Sequence, residues 1–135
     1  MAAIEWYVPS LGTPTVALAE YGLNLNLGAY SALGEPPGVR LGLDRTQKYI
    51  LIQPLMGTEN EIKKDGLPVR VRAGNIRVNG RDFVRFVQRY FPELRPSSRA
   101  VRYLAWWSDE DGFLVVDLNQ PVESGRQDGD DDENE

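Results

Sequence analysis

Apolar and polar residues alternate in two stretches of this chain that lie 53 residues apart. Residues 15–26 can be laid over residues 68–79 without a gap, and Asn26 then falls on Asn79. In each copy, apolar residues recur at every second position, a turn containing glycine interrupts them, and the alternation then resumes up to the asparagine. A period of two is typical of a strand with one buried face. Each stretch therefore predicts a hairpin, and the repeat is the best guide to the architecture.

The pattern after each hairpin predicts a helix. Asn26 and Asn79 are the expected N-caps, because an asparagine side chain accepts hydrogen bonds from free amides of the first turn. The first helix, over residues 27–33, is expected to end at Gly34. The second is longer and is expected to bury the residues that share one face at i, i+3, i+4 and i+7 spacing, namely Phe83, Phe86, Val87 and Tyr90.

Two further strand-like runs follow each helix, so each copy has the order strand–strand–helix–strand–strand. One copy alone buries too little apolar surface for a stable core. We therefore expect the copies to pack against each other about a pseudo-two-fold axis in a β-rich α+β fold. The predicted organisation is an N-terminal segment at 1–14, a first repeat at 15–55, a linker at 56–67, a second repeat at 68–118 and a disordered acidic tail at 119–135.

This order of elements resembles the AbrB-like swapped-hairpin superfamily, which includes the transition-state regulators, MazE-type antitoxins and the two-repeat MraZ proteins. The resemblance covers residues 16–34 and 39–54 in the first copy, and 69–91 and 101–118 in the second. It implies a pseudo-two-fold swapped-hairpin barrel in which one chain supplies both repeats. It also implies transcription regulation by DNA binding, through arginines on and beside the first hairpin of a repeat.

The second copy has arginines at the positions that this resemblance assigns to DNA, and the first copy does not. The candidates in the second copy are Arg70, Arg72, Arg77 and, at the start of the following helix, Arg81. The equivalent positions of the first hairpin hold Ala17, Ala19 and Asn24. Double-stranded DNA is thus an expected partner, contacted by one basic hairpin.

The distribution of charge gives the same asymmetry. The net charge is −5, but residues 126–135 alone hold six acids and one arginine, whereas residues 63–102 hold 11 basic residues and three acids. A turn at Gly74-Asn75 would place Arg72 opposite Arg77, with Arg70 diagonal to it. Like charges in such a pair are unfavourable. The cluster is therefore a solvated edge that discourages aggregation, a phosphate-binding surface, or a surface for an acidic partner or the chain's own tail.

The residue chemistry argues against an enzyme. The chain has no histidine and no cysteine, so the commonest general base and the thiolate nucleophile are missing. Acids such as Asp44 fall in predicted hairpin loops, where they usually form turns. We expect no catalytic residue, no cofactor, no metal site and no small-molecule substrate. The sequence also lacks a long apolar run and a signal-peptide pattern, which leads us to expect a cytoplasmic protein without a membrane segment.

Two functions remain open at this stage. The first is a small, non-enzymatic DNA-binding regulator that contacts phosphates through the basic hairpin of the second repeat. The alternative is a protein–protein interaction or assembly module of the same fold, acting on a partner or by self-association without binding nucleic acid. Trp106 and Trp107 lie on opposite faces of one predicted strand, so at most one of them is in the core. The other is an interface anchor or packs against the N-terminal segment with Trp6 and Tyr7, and the sequence favours packing.

Overall fold

The computed structural model describes residues 3–4, 12–94 and 100–122. These residues form eight strands and three helices, which confirms the β-rich α+β class. The elements are β1 (Thr15–Ala19), β2 (Gly22–Leu25), α1 (Leu27–Ala32), β3 (Gly38–Asp44), β4 (Tyr49–Leu55), α2 (Glu59–Asp65), β5 (Leu67–Arg72), β6 (Asn75–Asn79), α3 (Arg81–Tyr90), β7 (Val101–Ser108) and β8 (Phe113–Pro121).

All eight strands belong to one antiparallel sheet, in the order β1-β2-β6-β5-β3-β4-β8-β7. Because β7 also pairs with β1, the sheet closes on itself. Alternate side chains point inward and fill the interior. The largest fully buried side chains include Leu18, Leu23, Ile50, Ile52 and Leu114.

The two first hairpins have the same register, 53 residues apart. Val16 lies opposite Leu25 in β1 and β2, and Val69 lies opposite Val78 in β5 and β6. Each hairpin sits between two strands of the other half of the chain: β1–β2 lies between β7 and β6, and β5–β6 lies between β2 and β3. Exchanging the halves therefore leaves the strand order unchanged.

The later hairpins also correspond, with an offset that has grown to 64 residues. Four residues separate β3 from β4 after Asp44, and four separate β7 from β8 after Ser108. In the pairing of β4 with β8, Ile50 lies opposite Val116 and Ile52 lies opposite Leu114, so the two halves occupy equivalent places. The extra residues of the second half lie in α3 and in the segment that leads from it to β7.

The N-cap of α1 is the predicted residue, and the N-cap of α3 is not. Asn26 is the N-cap of α1, where its Oδ1 accepts from the Ala29 amide at 2.9 Å, and Gly34 follows the helix with φ +84°. The prediction that Asn79 caps the second helix is wrong. Asn79 remains in β6, opposite Gly22, and the helix begins one residue later behind Gly80.

The buried face of α3 is rotated from the predicted one. Val84 and Val87 are buried, Phe83 is half-buried, and Phe86 and Tyr90 are each 39% exposed. The two exposed rings pack against each other edge to face, with centroids 5.5 Å apart. The predicted face is wide, and α3 packs on the sheet with the side that carries Val87 and the neighbouring Val84.

The predicted linker at 56–67 contains the helix α2, which the strand-and-linker interpretation missed. Thr58 and Glu61 form a capping box: the Glu61 amide donates to the Thr58 hydroxyl, and the Thr58 amide donates to the Glu61 carboxylate. Ile62 is buried beneath the helix.

The predicted boundary of the acidic tail at residue 119 is too early. β8 continues to Pro121, which lies opposite Tyr103 of β7, and the Val122 amide donates to the Arg102 carbonyl at 2.7 Å. The rest of the predicted tail, from residue 123, and most of the N-terminal segment at 1–14 lie outside the described residues. None of the helices that the structure describes is long and apolar enough to cross a membrane.

Candidate nucleic-acid interface

The basic hairpin β5–β6 turns one residue earlier than the sequence pattern suggested. Ala73 and Gly74 form the two-residue turn, with φ values of +49° and +85°. Positive φ at both central residues is the requirement of a type I′ turn, whose twist matches that of the flanking strands. Arg70 therefore lies directly opposite Arg77, and Arg72 lies opposite Asn75. The predicted pairing of Arg72 with Arg77 is therefore wrong, because the partner of Arg72 lies two residues earlier in β6.

The first hairpin also has a two-residue turn. Its turn residues are Glu20 and Tyr21, since Ala19 pairs with Gly22. Gly22 lies in β2, just after the turn, and a glycine is required there by the strand beside it. It has φ +145°, and a Cβ at this position would lie 2.1 Å from the carbonyl oxygen of Val78 in the adjoining β6.

The three hairpin arginines lie on the outer face of the sheet and surround one open hollow. The hollow has a volume of about 460 Å³ and is lined by Arg70, Arg72, Asn75, Arg77 and Asn79. These five side chains are exposed. No carboxylate of the described residues is part of this lining. The surface is consequently rich in hydrogen-bond donors and strongly positive.

Arg77 is held in place by the first hairpin. Its guanidinium lies 4.2 Å from the centroid of the Tyr21 ring, at the distance of a cation–π contact. The Tyr21 hydroxyl in turn accepts a hydrogen bond of 3.2 Å from the Asn24 side chain. Asn24 also pairs with Arg77 across β2 and β6. The turn of the first hairpin thus orients an arginine of the hairpin β5–β6.

Arg70 differs from the other two arginines because it already has an acidic neighbour. Its Nη2 lies 3.4 Å from Glu59 Oε2 of α2, and Lys63 Nζ lies 3.1 Å from the same oxygen. Lys63, and to a smaller extent Arg70, lower the pKa of the Glu59 carboxyl. Arg72 and Arg77 form no ion pair with any residue that the structure describes.

The fourth candidate, Arg81, does not join this cluster. It begins α3 and lines a separate hollow with Glu20, Val84, Arg85 and Gln88. The solvent-exposed side of this amphipathic helix carries Arg81, Arg85 and Arg89. The structure therefore brings together three of the four predicted residues.

The apolar side of the basic hairpin is less buried than predicted. Ile76 and Val78 are buried, but Val69 is half-buried and Val71 is 56% exposed. The reason lies in the flanking strand: β3 pairs with β5 only at Pro68 and Leu67. Beyond these residues, no strand of the described chain covers the outer edge of β5.

Arg102 is a further basic residue of this face that sequence reasoning missed as a candidate. It lies in β7 opposite Ala17, which is itself opposite Asn24, so a row Arg102–Ala17–Asn24–Arg77–Arg70 crosses five strands. Arg102 Nη1 donates to Thr15 Oγ1 at 2.9 Å, and burial lowers the pKa of its guanidinium. No sequence signal identified it, since only the pairing of β7 with β1 brings it beside the first hairpin.

The acids of the later hairpins form turns, as expected. Asp44 Oδ1 accepts from the amides of Thr46 and Gln47, and these bonds, that from Gln47 foremost, lower the pKa of the Asp44 carboxyl. No group of three or more acidic or metal-ligating side chains in the described ranges is placed to hold a metal ion.

Comparison of the chain with protein-family models, with curated proteins and with solved structures finds no match.

Proposed function

We propose that this chain is a two-repeat AbrB-like protein that binds double-stranded DNA through the outer face of the hairpin β5–β6. The architectural support is the place of the hairpins, since each first hairpin lies between strands of the opposite half. The shared registers, 53 residues apart, fit two copies related by a pseudo-two-fold axis in a swapped-hairpin arrangement.

The observation that carries the functional proposal is the hollow lined by three arginines and two asparagines. Guanidinium groups bind phosphate oxygens with charge-assisted and often bidentate hydrogen bonds. Asparagine amides can donate to and accept from base edges, with adenine as the usual partner. Arg72 and Arg77 are available for phosphate contacts, and Asn75 and Asn79 stand beside them. This division of roles fits a surface that positions itself on phosphates and reads bases.

The interface is one-sided. At the positions equivalent to Arg70 and Arg72, the first hairpin has Ala17 and Ala19, both buried. Arg102 adds one guanidinium on that side, although its hydrogen bond to Thr15 holds it close to the sheet. We expect the protein to make few phosphate contacts, with a correspondingly shallow dependence of affinity on salt.

A titration of labelled duplex DNA at several salt concentrations tests the proposal. The wild type is compared with Arg72→Ala/Arg77→Ala and with the matched control Arg85→Ala/Arg89→Ala, which removes the same charge from the exposed face of α3. The hairpin variant should bind more weakly, and its slope of log K against log salt should fall by about 0.9 per lost phosphate contact. Equal losses in both variants, or no binding by the wild type at low salt, would overturn the proposal.

The second candidate function, a protein-interaction module, is favoured by the exposed aromatic rings. Trp106 is 40% exposed and lies edge to face with Tyr49, with ring centroids 5.5 Å apart. Phe86 and Tyr90 form a second exposed pair on α3. Exposed aromatics are frequent anchors of protein interfaces. If the titration shows no DNA binding, and Trp106→Ala abolishes a self-association seen by sedimentation, this function replaces the first.

A further inference from the structure

The open edge of β5 has main-chain groups without partners among the described residues. Arg72 and Asn75 close a two-residue turn and form a hydrogen-bonded pair, so Arg70 and Arg77 form the next one and Val71 lies between them. The N–H and C=O of Val71 therefore point away from β6. Val69 obeys the same alternation, since its amide donates outward to the Pro37 carbonyl at 2.9 Å.

The side chains beside this edge are unusual for an exposed strand end. Arg70 and Arg72 project from the outer face, and Val71 projects from the inner face with 56% of its surface exposed. Unpaired strand edges readily accept a further strand, in which main-chain hydrogen bonds give affinity and alternate side chains give selectivity. We propose that the edge at residues 70–72 binds an extended acidic segment of a partner protein, in which two carboxylates flank an apolar residue.

Charge complementarity determines the pattern of this segment. In an added antiparallel strand, the residues that face Arg70 and Arg72 lie two positions apart on the outer face, and the residue between them lies beside Val71. Glu59 already places a carboxylate oxygen 3.4 Å from Arg70, so a carboxylate can pair with an arginine on this face. The partner's carboxylate replaces Glu59 at Arg70 and adds a second pair at Arg72.

Two other occupants fit the edge less well. A second copy of β5, paired edge to edge and centred on Val71, would set Arg70 opposite Arg72 of its partner, and like charges in a cross-strand pair are unfavourable. The chain's own residues 128–135 supply carboxylates but have no apolar residue between them. These residues could pair with the arginines, but they offer no apolar side chain to pack beside Val71.

Binding of a labelled synthetic peptide of alternating glutamate and valine to the full-length protein, followed by fluorescence anisotropy, tests this inference. The wild type should bind with a dissociation constant below about 1 mM. The variant Val71→Pro removes the outward amide and replaces the valine side chain by the proline ring, and proline is tolerated on an edge strand when its missing N–H faces solvent. It should lose tenfold or more in peptide affinity and keep the wild-type affinity for duplex DNA.

Two controls keep the inference independent of the DNA-binding proposal and of the folding of Val71→Pro. The peptide methylated on alternate amide nitrogens retains its charge but cannot pair as a strand, so it should bind the wild type at least tenfold more weakly. Glu59→Gln should strengthen peptide binding. Equal binding of both peptides, or none by the wild type, would overturn the inference. So would a dimer that Val71→Pro abolishes, because the edge would then belong to a second copy.

Discussion

The hairpins β1–β2 and β5–β6 have the same register and turn length, yet β1 is buried along its whole length and β5 is exposed over its last three residues. Leu18 and Val71 occupy equivalent positions, and they are 1% and 56% exposed. β7 covers β1 along four residue pairs, from Thr15 to Leu18, whereas β3 covers β5 along two. The local sequence pattern therefore determines that a hairpin forms. The length over which a neighbouring strand pairs with it determines how much of the hairpin is exposed.

The largest expected difference between the hairpins concerns these two apolar residues. Leu18→Ala should reduce the free energy of unfolding by about 2–5 kcal/mol, as is usual for a leucine deleted from a packed core. Val71→Ala should change it by no more than about 0.5 kcal/mol, because the side chain is mostly in water. Urea denaturation of both variants measures the contrast. Similar losses would mean that the edge of β5 is covered.

The glycines of the two hairpins should differ next. In Gly22→Ala, the new Cβ would meet the Val78 carbonyl and the chain would also need to keep a positive φ. We expect a loss of about 2 kcal/mol or more, since the strands β2 and β6 must separate. Gly74 has only the positive φ and open space around it, so Gly74→Ala should cost about 1 kcal/mol. Thermal unfolding ranks the two, and the reverse order would contradict the register described.

The two asparagines that end the hairpins should separate stability from binding. Asn26 Oδ1 accepts from the Ala29 and Thr15 amides, so Asn26→Ala should cost about 1–2 kcal/mol. Asn79 makes no capping bond to α3 and lines the basic hollow. Asn79→Ala should leave the melting temperature nearly unchanged and weaken DNA binding. A large loss of stability from this variant would show that Asn79 has a structural role.

The smallest expected effect is the dependence on pH at Glu59. Its pKa is lowered from 4.5 in the folded state, chiefly by Lys63 and then by Arg70. A carboxyl with a lowered folded pKa stabilises the protein above its unfolded pKa, and this contribution is lost as the pH falls through the folded pKa. Wild type and Glu59→Gln should therefore differ slightly in melting temperature at pH 7, and this difference should shrink as the pH falls below 4.5 and the carboxyl becomes protonated. An unchanging difference across that window would point to a cause other than ionisation.

The sequence could predict those features that depend on near neighbours. The strands of both hairpins follow from alternation, and the Asn26 cap follows from one side chain and one helix start. The helix α2 was also accessible, since Thr58 and Glu61 have the spacing of a capping box. The exposure of Val71 and the position of Arg102 beside the first hairpin could not be predicted, because both depend on which strand lies next to the hairpin. The three arginines of the candidate site could be placed on one face for the same reason, because they alternate with apolar residues within a single hairpin.

The most direct test of the account is a map of amide chemical shifts during titration with a short DNA duplex. Amides of β5 and β6 should shift together with that of Tyr21, whose ring contacts Arg77, while Ala17 and Ala19 in β1 and the exposed face of α3 should not. This outcome would place the DNA on the hairpin β5–β6 alone. Shifts centred on β1 or on α3, or no shifts at low salt, would contradict the account.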